Sequence, residues 1–197
     1  EVLLRVTAAA PDRGQAWRLL APAVGKIQKG LGPYSYGIDG GTLQHAAVLA
    51  LKQRGLTVST AESCTGGRIA AAITAVPGSS KVFPGGIVSY CDRVKHQVLS
   101  VPQELLDKYT AVSAPVAESM ASGAAARMET DLALSATGLA GPEGDGSQPV
   151  GAVFLGLYSG GRCCCKHCVF SGNREQVQQQ AVEQALEMAL RWLEENP

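Results

Sequence analysis

The sequence predicts an α/β fold, a three-layer α/β/α sandwich with a mostly parallel central sheet and an antiparallel hairpin at one edge. From residue 42 onward, short apolar and β-branched runs alternate with longer helical patterns. Near the end, two apolar runs flank Ser159, Gly160 and Gly161, which is the spacing of a hairpin. The 23 glycines, 10 prolines and 46% hydrophobic residues suit alternating elements joined by tight turns.

The predicted helices of the main domain begin at Thr42, near Ile69, at a capping Asp92, at Pro102, at Ser113 and at Arg174. Propensity and apolar periodicity mark each of them, and Gly55 is expected to end the first. The predicted strands cover residues 56–61, 85–90, 131–137, 151–158 and 163–170, all of them β-branched or apolar runs bounded by turn residues.

The first 39 residues form a separate pattern, predicted to be a small β-α-β segment. Strands are expected at residues 2–8 and 34–36, with a helix from Pro11 to about Gly30 between them. A glycine-rich break at residues 37–41 marks the boundary, so residues 1–39 are predicted to end a preceding domain and residues 40–197 to form the main one.

Charge and composition narrow the function classes. The 17 basic and 17 acidic side chains cancel, so the chain lacks the overall basic character of nucleic-acid proteins. No apolar run reaches the roughly 20 residues of a membrane span. We therefore expect a cytoplasmic protein, bound neither to nucleic acid nor to a membrane, with its six cysteines reduced.

The stretch from Thr60 to Gly67 is the predicted active-site turn. It joins a buried strand to an alanine-rich helix through a hydroxyl, a thiol and two glycines. Ser63 can present its Oγ there, and the first amides of the helix, without intrahelical partners, are expected to face the same point. This arrangement suits a nucleophile beside an oxyanion or phosphate site. The alternative, equally open from these residues, is that Ser63 or Thr65 only caps the helix.

Two further strand ends carry polar side chains, Tyr90 and Thr137, and Lys95 follows one turn into the next helix. In parallel sheets, ligands bind beyond the carboxyl ends of the strands. A lysine shielded in a pocket can take a proton from serine, and Lys95 is a better base candidate than the histidines His45, His96 and His167. Taken singly, Lys95 is explained as a surface charge and Tyr90 as a packing residue.

Cysteines suggest two alternatives. Cys163 to Cys168 contains four thiols and a histidine, but a strand puts neighbours on opposite faces, and no second pair stands at zinc-site spacing. Cys64 adjoins Ser63, yet consecutive residues leaving a strand point apart, which favours a packing role. Neither a metal nor a cofactor is expected.

Several motifs together resemble the C-terminal domain of the competence-damage-inducible proteins, the nicotinamide mononucleotide amidase family. The similarity covers Thr42 to the C-terminus in consistent order. It rests on the runs at residues 61–67, 76–80, 85–90 with Lys95, 112–113, 136–142 and 149–151. The resemblance implies hydrolysis of the carboxamide of nicotinamide mononucleotide, giving nicotinic acid mononucleotide and ammonia without a metal. It also implies a homo-oligomer.

The resemblance also implies roles for individual residues. Ser63 corresponds to the nucleophile, Lys95 to its base, and Tyr90 and Thr137 to supporting catalytic groups. Arg174, at the start of the last helix, matches a basic position of the family that can pair with phosphate, and a surface role is the alternative. The small-molecule nucleotide substrate is also predicted to contact Thr65, Gly66, Gly67 and Gly138.

Three residues depart from the family pattern. Glu143 and Asp145 stand in a loop where the family keeps mostly glycine, and Gln148 replaces a common lysine. Two acids and a lost base near a phosphate weaken its binding if they face the pocket. The alternative function is a non-catalytic module that senses nucleotides or binds proteins.

Overall fold

The computed structural model describes residues 2–38, 41–144, 146 and 148–196. Contacts divide the chain into two compact units, Glu1–Thr42 and Leu43–Pro197. The boundary predicted between residues 39 and 40 falls outside the described residues.

The first unit contains the predicted helix but neither predicted strand. Helix α1 spans Arg13–Leu31, and the carboxylate of its N-cap Asp12 accepts a hydrogen bond from the Gln15 amide. Residues 2–8 form no strand, and a 3-10 turn, Gly32–Tyr34, overlaps the second predicted strand. The β-α-β prediction for this segment is therefore wrong. An apolar run becomes a strand only when another strand satisfies its backbone, and the described residues of this unit provide none.

The second unit is built on one five-stranded sheet. Its strands are β1 (Val58–Glu62), β2 (Gly86–Val88), β3 (Leu132–Gly138), β4 (Ala152–Ser159) and β5 (Arg162–Val169). The spatial order is β2-β1-β3-β4-β5. The first three strands are parallel, whereas β4 and β5 add antiparallel as a hairpin. The predicted fold class is confirmed, with β1 at the centre of the parallel part.

Six helices cover the sheet: α2 (Leu43–Arg54), α3 (Arg68–Thr74), α4 (Asp92–Leu99), α5 (Gln103–Tyr109), α6 (Ala114–Met128) and α7 (Arg174–Glu195). Helices α2, α3 and α7 pack together on one face, and α4, α5 and α6 on the other. A short 3-10 turn, Ser79–Lys81, precedes β2. Within the part of the chain that is described, no helix combines the length and the hydropathy required to cross a membrane.

Side chains alternate between the two faces along each strand. Ala61 of β1 and Ala133 of β3 belong to a buried cluster with Leu99 of α4 and Val116 and Met120 of α6. Odd-numbered residues of these strands therefore face the layer of α4, α5 and α6. Even-numbered residues, including the buried Glu62, face the layer of α3 and α7.

Candidate active site

Three hydroxyl residues lie side by side at the carboxyl edge of the parallel strands. Glu62 pairs in register with Val88 on one side and Ala136 on the other. One residue further, the Ser63 amide donates to the Ala136 carbonyl over 2.8 Å, and the Ser89 amide donates to the Glu62 carbonyl over 2.7 Å. Ser63 is thus flanked by Ser89 and by Thr137 at the strand spacing of about 4.8 Å. We call Ser89, Ser63 and Thr137 the hydroxyl row.

Lys95 lies on the same face as the hydroxyl row. Helix α4 starts just beyond the carboxyl end of β2, and Leu99 in its last turn shares a buried cluster with Ala61. Lys95 is four residues before Leu99, so it projects from the same side of the helix about 6 Å nearer the edge. Ser63 stands two residues beyond Ala61, which is about 6.6 Å in the same direction. The two offsets match, and they bring Lys95 to the level of Ser63.

Lys95 is almost fully buried, and its amine pairs with one carboxylate. Its side chain is 2% exposed, and Nζ lies 3.4 Å from Oδ1 of Asp92, which is 57% exposed. Helical side chains lean toward the N-terminus, so the amine points to the edge where the hydroxyl row ends. The predicted capping role of Asp92 is wrong, because Cys91 occupies the N-cap and Asp92 stands in the first turn.

Thr137 and Gly138 both make structural contacts. The buried Thr137 hydroxyl donates to the Ala111 carbonyl over 2.7 Å, which ties β3 to the loop before α6. Its oxygen keeps acceptor capacity for a ligand. A Cβ at Gly138 would stand 2.5 Å from the Ala152 carbonyl oxygen, so the residue lacks a side chain because β4 passes so close.

Tyr90 and Arg174 form the outer rim. Tyr90 is 61% exposed, and its hydroxyl accepts a hydrogen bond of 2.7 Å from the Arg174 guanidinium. The same guanidinium donates to the Gly141 carbonyl over 2.8 Å. Arg174 therefore joins the end of β2, the loop after β3 and the start of α7. Sequence reasoning paired Tyr90 with Lys95, whereas the observed partner of its hydroxyl is Arg174.

The first amides of α3 do not face the site as expected. The Glu62 carboxylate accepts hydrogen bonds from the amides of Gly67 and Ile69, both over 3.0 Å, and of Ala70 over 2.8 Å. A buried carboxylate already occupies the positive end of the helix. The expectation that these amides hold a substrate anion is therefore wrong. Sequence reasoning overlooked Glu62, although an acid at the end of a buried strand, six residues before the helix, was the available signal.

The turn from Ser63 to Gly67 has a backbone that requires its glycines. Gly66 and Gly67 have φ angles of 61° and 95°, in the left-handed region. Thr65 is buried, and among the described residues its Oγ1 has no hydrogen-bond partner. The Gln178 side chain of α7 donates to the Cys64 carbonyl over 2.7 Å, which anchors the turn from outside.

The cysteines take no part in the hydroxyl row. Burial raises the pKa of the Cys64 thiol to about 12 against the lowering effects of nearby amides and Arg174, so it is a thiol at neutral pH and a poor nucleophile. Burial likewise raises the pKa of Cys165 on β5 to about 12. The described residues include no group of three His, Cys, Asp or Glu side chains arranged to hold a metal.

Two of the histidines have observed partners other than Ser63. His96 bonds the Val101 carbonyl through Nδ1 over 2.8 Å. His167 stacks on Phe154, with ring centroids 4.3 Å apart. Of the loop residues that depart from the family pattern, Glu143 is exposed and Gln148 is half-buried, and Asp145 is not among the described residues.

A family model described as the CinA C-terminal domain matches residues 41–193. The chain belongs to the CinA C-terminal domain family. CinA-like proteins of Dictyoglomus turgidum and Kosmotoga olearia are 43% and 44% identical to it over 194 residues. The match takes in 98% of this chain and 47% of each relative, so the chain spans about half the length of the curated relatives it matches.

Solved structures of the CinA superfamily share the fold. The competence damage-inducible protein A (ComA) of Klebsiella pneumoniae is 35% identical, with a TM-score of 0.77, covering 79% of this chain and 97% of that one. The competence/damage-inducible protein CihA of Agrobacterium tumefaciens is 37% identical, with a TM-score of 0.74 and coverage of 81% and 98%. The resemblance inferred from the motifs is confirmed at the level of the family.

Proposed function

We propose that this protein hydrolyses the carboxamide of nicotinamide mononucleotide to nicotinic acid mononucleotide and ammonia. The observation that carries the proposal is the burial of Lys95, which is 2% exposed and stands one helical turn before Leu99, a residue clustered with Ala61 of β1. From it we infer that the amine lies at the level of Ser63. An alcohol attacks an amide at useful rates only with a base beside it and a shielded site around it. Lys95 is the group best placed to act as that base.

The proposed reaction has two halves. Ser63 Oγ attacks the carboxamide carbon while the Lys95 amine takes the hydroxyl proton, and the tetrahedral intermediate collapses as that proton passes to the departing ammonia. Water then attacks the acyl ester, giving its proton to Lys95. Ser63 regains a proton as the acid leaves, so both side chains return to their starting state.

We assign the phosphate of the substrate to Arg174. A guanidinium has five N–H donors, and the observed bonds to Gly141 and Tyr90 leave others for an anion. With Glu62 on the α3 amides, the rim is the better place for the phosphate. Thr65, whose buried hydroxyl has no described partner, is the candidate from the turn for a polar contact to the substrate.

The direct test is ammonia release from nicotinamide mononucleotide by the parent protein and by Ser63→Ala. We expect the variant to lose more than about a thousandfold in turnover, because no alcohol remains to attack. Cys64→Ala is the matched control and is expected to stay active, since burial keeps the pKa of that thiol near 12. A Ser63→Ala protein within tenfold of the parent contradicts the assignment.

A non-catalytic nucleotide-binding module is the second candidate. It is favoured by one observation: the Ser63 hydroxyl makes no hydrogen bond to any residue that the structure describes, Lys95 included. In ligand-free enzymes such bonds often tighten only when substrate arrives, so an amidase also accounts for the observation. Saturable binding of nicotinamide mononucleotide by calorimetry with no ammonia released identifies this candidate.

The cellular location and the partners of the protein are also proposals. All six cysteines are free, as in a reducing compartment, and we infer a cytoplasmic location from them. A homo-oligomer and the lack of nucleic-acid and membrane partners remain predictions.

A further inference from the structure

Ser89 is a fully buried hydroxyl without a partner. The residue is 0% exposed, and Oγ makes no hydrogen bond within the described part of the chain. A buried hydroxyl that leaves its hydrogen-bonding capacity unused destabilises the fold, whereas alanine at the same place does not. The position therefore needs an explanation other than stability.

Other hydroxyls on the same face of the sheet are satisfied by the protein. Ser135 donates to the Ala117 carbonyl over 2.5 Å, and Thr137 to the Ala111 carbonyl over 2.7 Å. Ser59 shares a hydrogen bond of 2.8 Å with Thr130. Ser89 differs from these three hydroxyls, because its Oγ is buried and has no partner among the described residues.

Ser89 follows the edge strand β2, whose neighbour in the sheet is β1. Strand β2 is at the edge of the sheet, so its residues pair with β1 alone. Ser63 and Ser89 each stand one residue beyond the last registered pair of β1 and β2, Glu62 and Val88, and α4 with Lys95 begins three residues after Ser89. Adjacent strands lie about 4.8 Å apart, a separation that two facing serine hydroxyls can bridge with a hydrogen bond by rotation about χ1.

We propose that Ser89 is a positioning residue for Ser63, whose hydroxyl forms the hydrogen bond that orients Ser63 Oγ toward the Lys95 amine. Ser89 keeps its own proton throughout and does not touch the substrate. The inference builds on Ser63 as the nucleophile of the proposed function, but it does not depend on which amide is cleaved. It also explains why an unsatisfied hydroxyl is retained, since its partner bond belongs to the reacting state.

The test measures the reactivity of Ser63 itself. A fluorophosphonate probe forms a covalent adduct with an activated serine, and intact mass with peptide mapping locates it. We expect labelling of the parent at Ser63, a rate at least tenfold lower in Ser89→Ala, and recovery to within threefold of the parent in Ser89→Thr, which restores the hydroxyl. The Tm of Ser89→Ala is expected to equal or exceed that of the parent, which a purely structural serine with a satisfied hydroxyl does not predict.

Thr60→Val is the matched control. Thr60 is also buried with an unpartnered hydroxyl, but it is an even-numbered residue of β1 and faces the opposite layer. We expect the Tm of Thr60→Val, like that of Ser89→Ala, to equal or exceed the Tm of the parent. The rate at which Ser63 is labelled in Thr60→Val should stay within twofold of the parental rate. A fall in rate equal to that of Ser89→Ala would show a general packing effect and overturn the proposal.

The outcomes separate the two proposals. Labelling of Ser89→Ala at the parental rate, or a parent that is not labelled at Ser63, overturns the role of Ser89. A parent that is labelled in a Ser89-dependent way but releases no ammonia from nicotinamide mononucleotide supports the role of Ser89 and contradicts the proposed substrate.

Discussion

Burying an amine is unfavourable, and Lys95 retains 2% of its side-chain exposure with a single carboxylate at 3.4 Å. A lysine on an exposed helix face keeps its amine in water. The burial of Lys95 therefore indicates a functional role. Lys95 stands one helical turn before Leu99, which shares a buried cluster with Ala61, two residues before Ser63.

Lys95→Arg tests whether this role is proton transfer. Arginine keeps the positive charge but does not lose its proton in the accessible pH range, so a base role fails while an electrostatic role survives. We expect ammonia release and Ser63 labelling both to fall by about a hundredfold or more. The exposed Lys81→Arg is the control and is expected to be unchanged. If Lys95→Arg keeps over a tenth of the parental rate, Lys95 clamps an anion instead.

At the scale of elements, the junction of β1 and α3 depends on Glu62. Its carboxylate accepts hydrogen bonds from three amides at the start of α3. This helix has seven residues and is too short to be stable by itself. Ser63, next along the chain, points to the other face of the sheet. One strand end thus carries a structural acid on one side and the candidate nucleophile on the other.

Glu62→Ala should destabilise the protein by about 3 kcal/mol, because three amides lose their acceptor in a buried place. Glu62→Gln keeps the shape and one acceptor oxygen, and we expect a loss of about 1 kcal/mol. Urea unfolding measures both free energies of unfolding. Glu104→Ala, at the exposed start of α5, is the control and should stay within about 0.5 kcal/mol of the parent. A Glu62→Ala protein as stable as that control would refute the capping role.

At the scale of the whole molecule, the two units differ in what they bury. The second unit, Leu43–Pro197, contains all five strands and their clusters. In the first, helix α1 has no buried residue, although its sequence has apolar positions. Folding of an isolated segment depends on apolar area removed from water.

We therefore expect residues 41–197, produced alone, to unfold in a single cooperative transition with equal calorimetric and van't Hoff enthalpies. Residues 1–42 alone should show no such transition, since an isolated helix of this length is marginal in water. Differential scanning calorimetry of the two fragments makes the comparison. A longer fragment that melts gradually, without a heat-capacity peak, would mean that its core is incomplete.

Much of the second unit was predictable because its signals are local. Gly55, the β-branched runs and Ser159 to Gly161 are properties of neighbouring residues, and the observed elements agree with them to within about two residues. Ser63 was found for the same reason, since a strand, a small-residue turn and a helix follow each other in sequence. The strands predicted before residue 40 failed because a strand also requires a partner, which no local pattern supplies.

The sequence by itself determined the order of helices and strands in the second unit, the family, and the candidacy of Ser63 and Lys95, all of which depend on residues close in the chain. Only the tertiary structure decided which groups meet. Glu62 reaches the α3 amides, Arg174 reaches Tyr90 across 84 positions, and Ser89 is left unpartnered beside Ser63. The physical reason is that register and burial arise from pairing between distant strands, and a hydroxyl becomes satisfied or unsatisfied only when that pairing is complete.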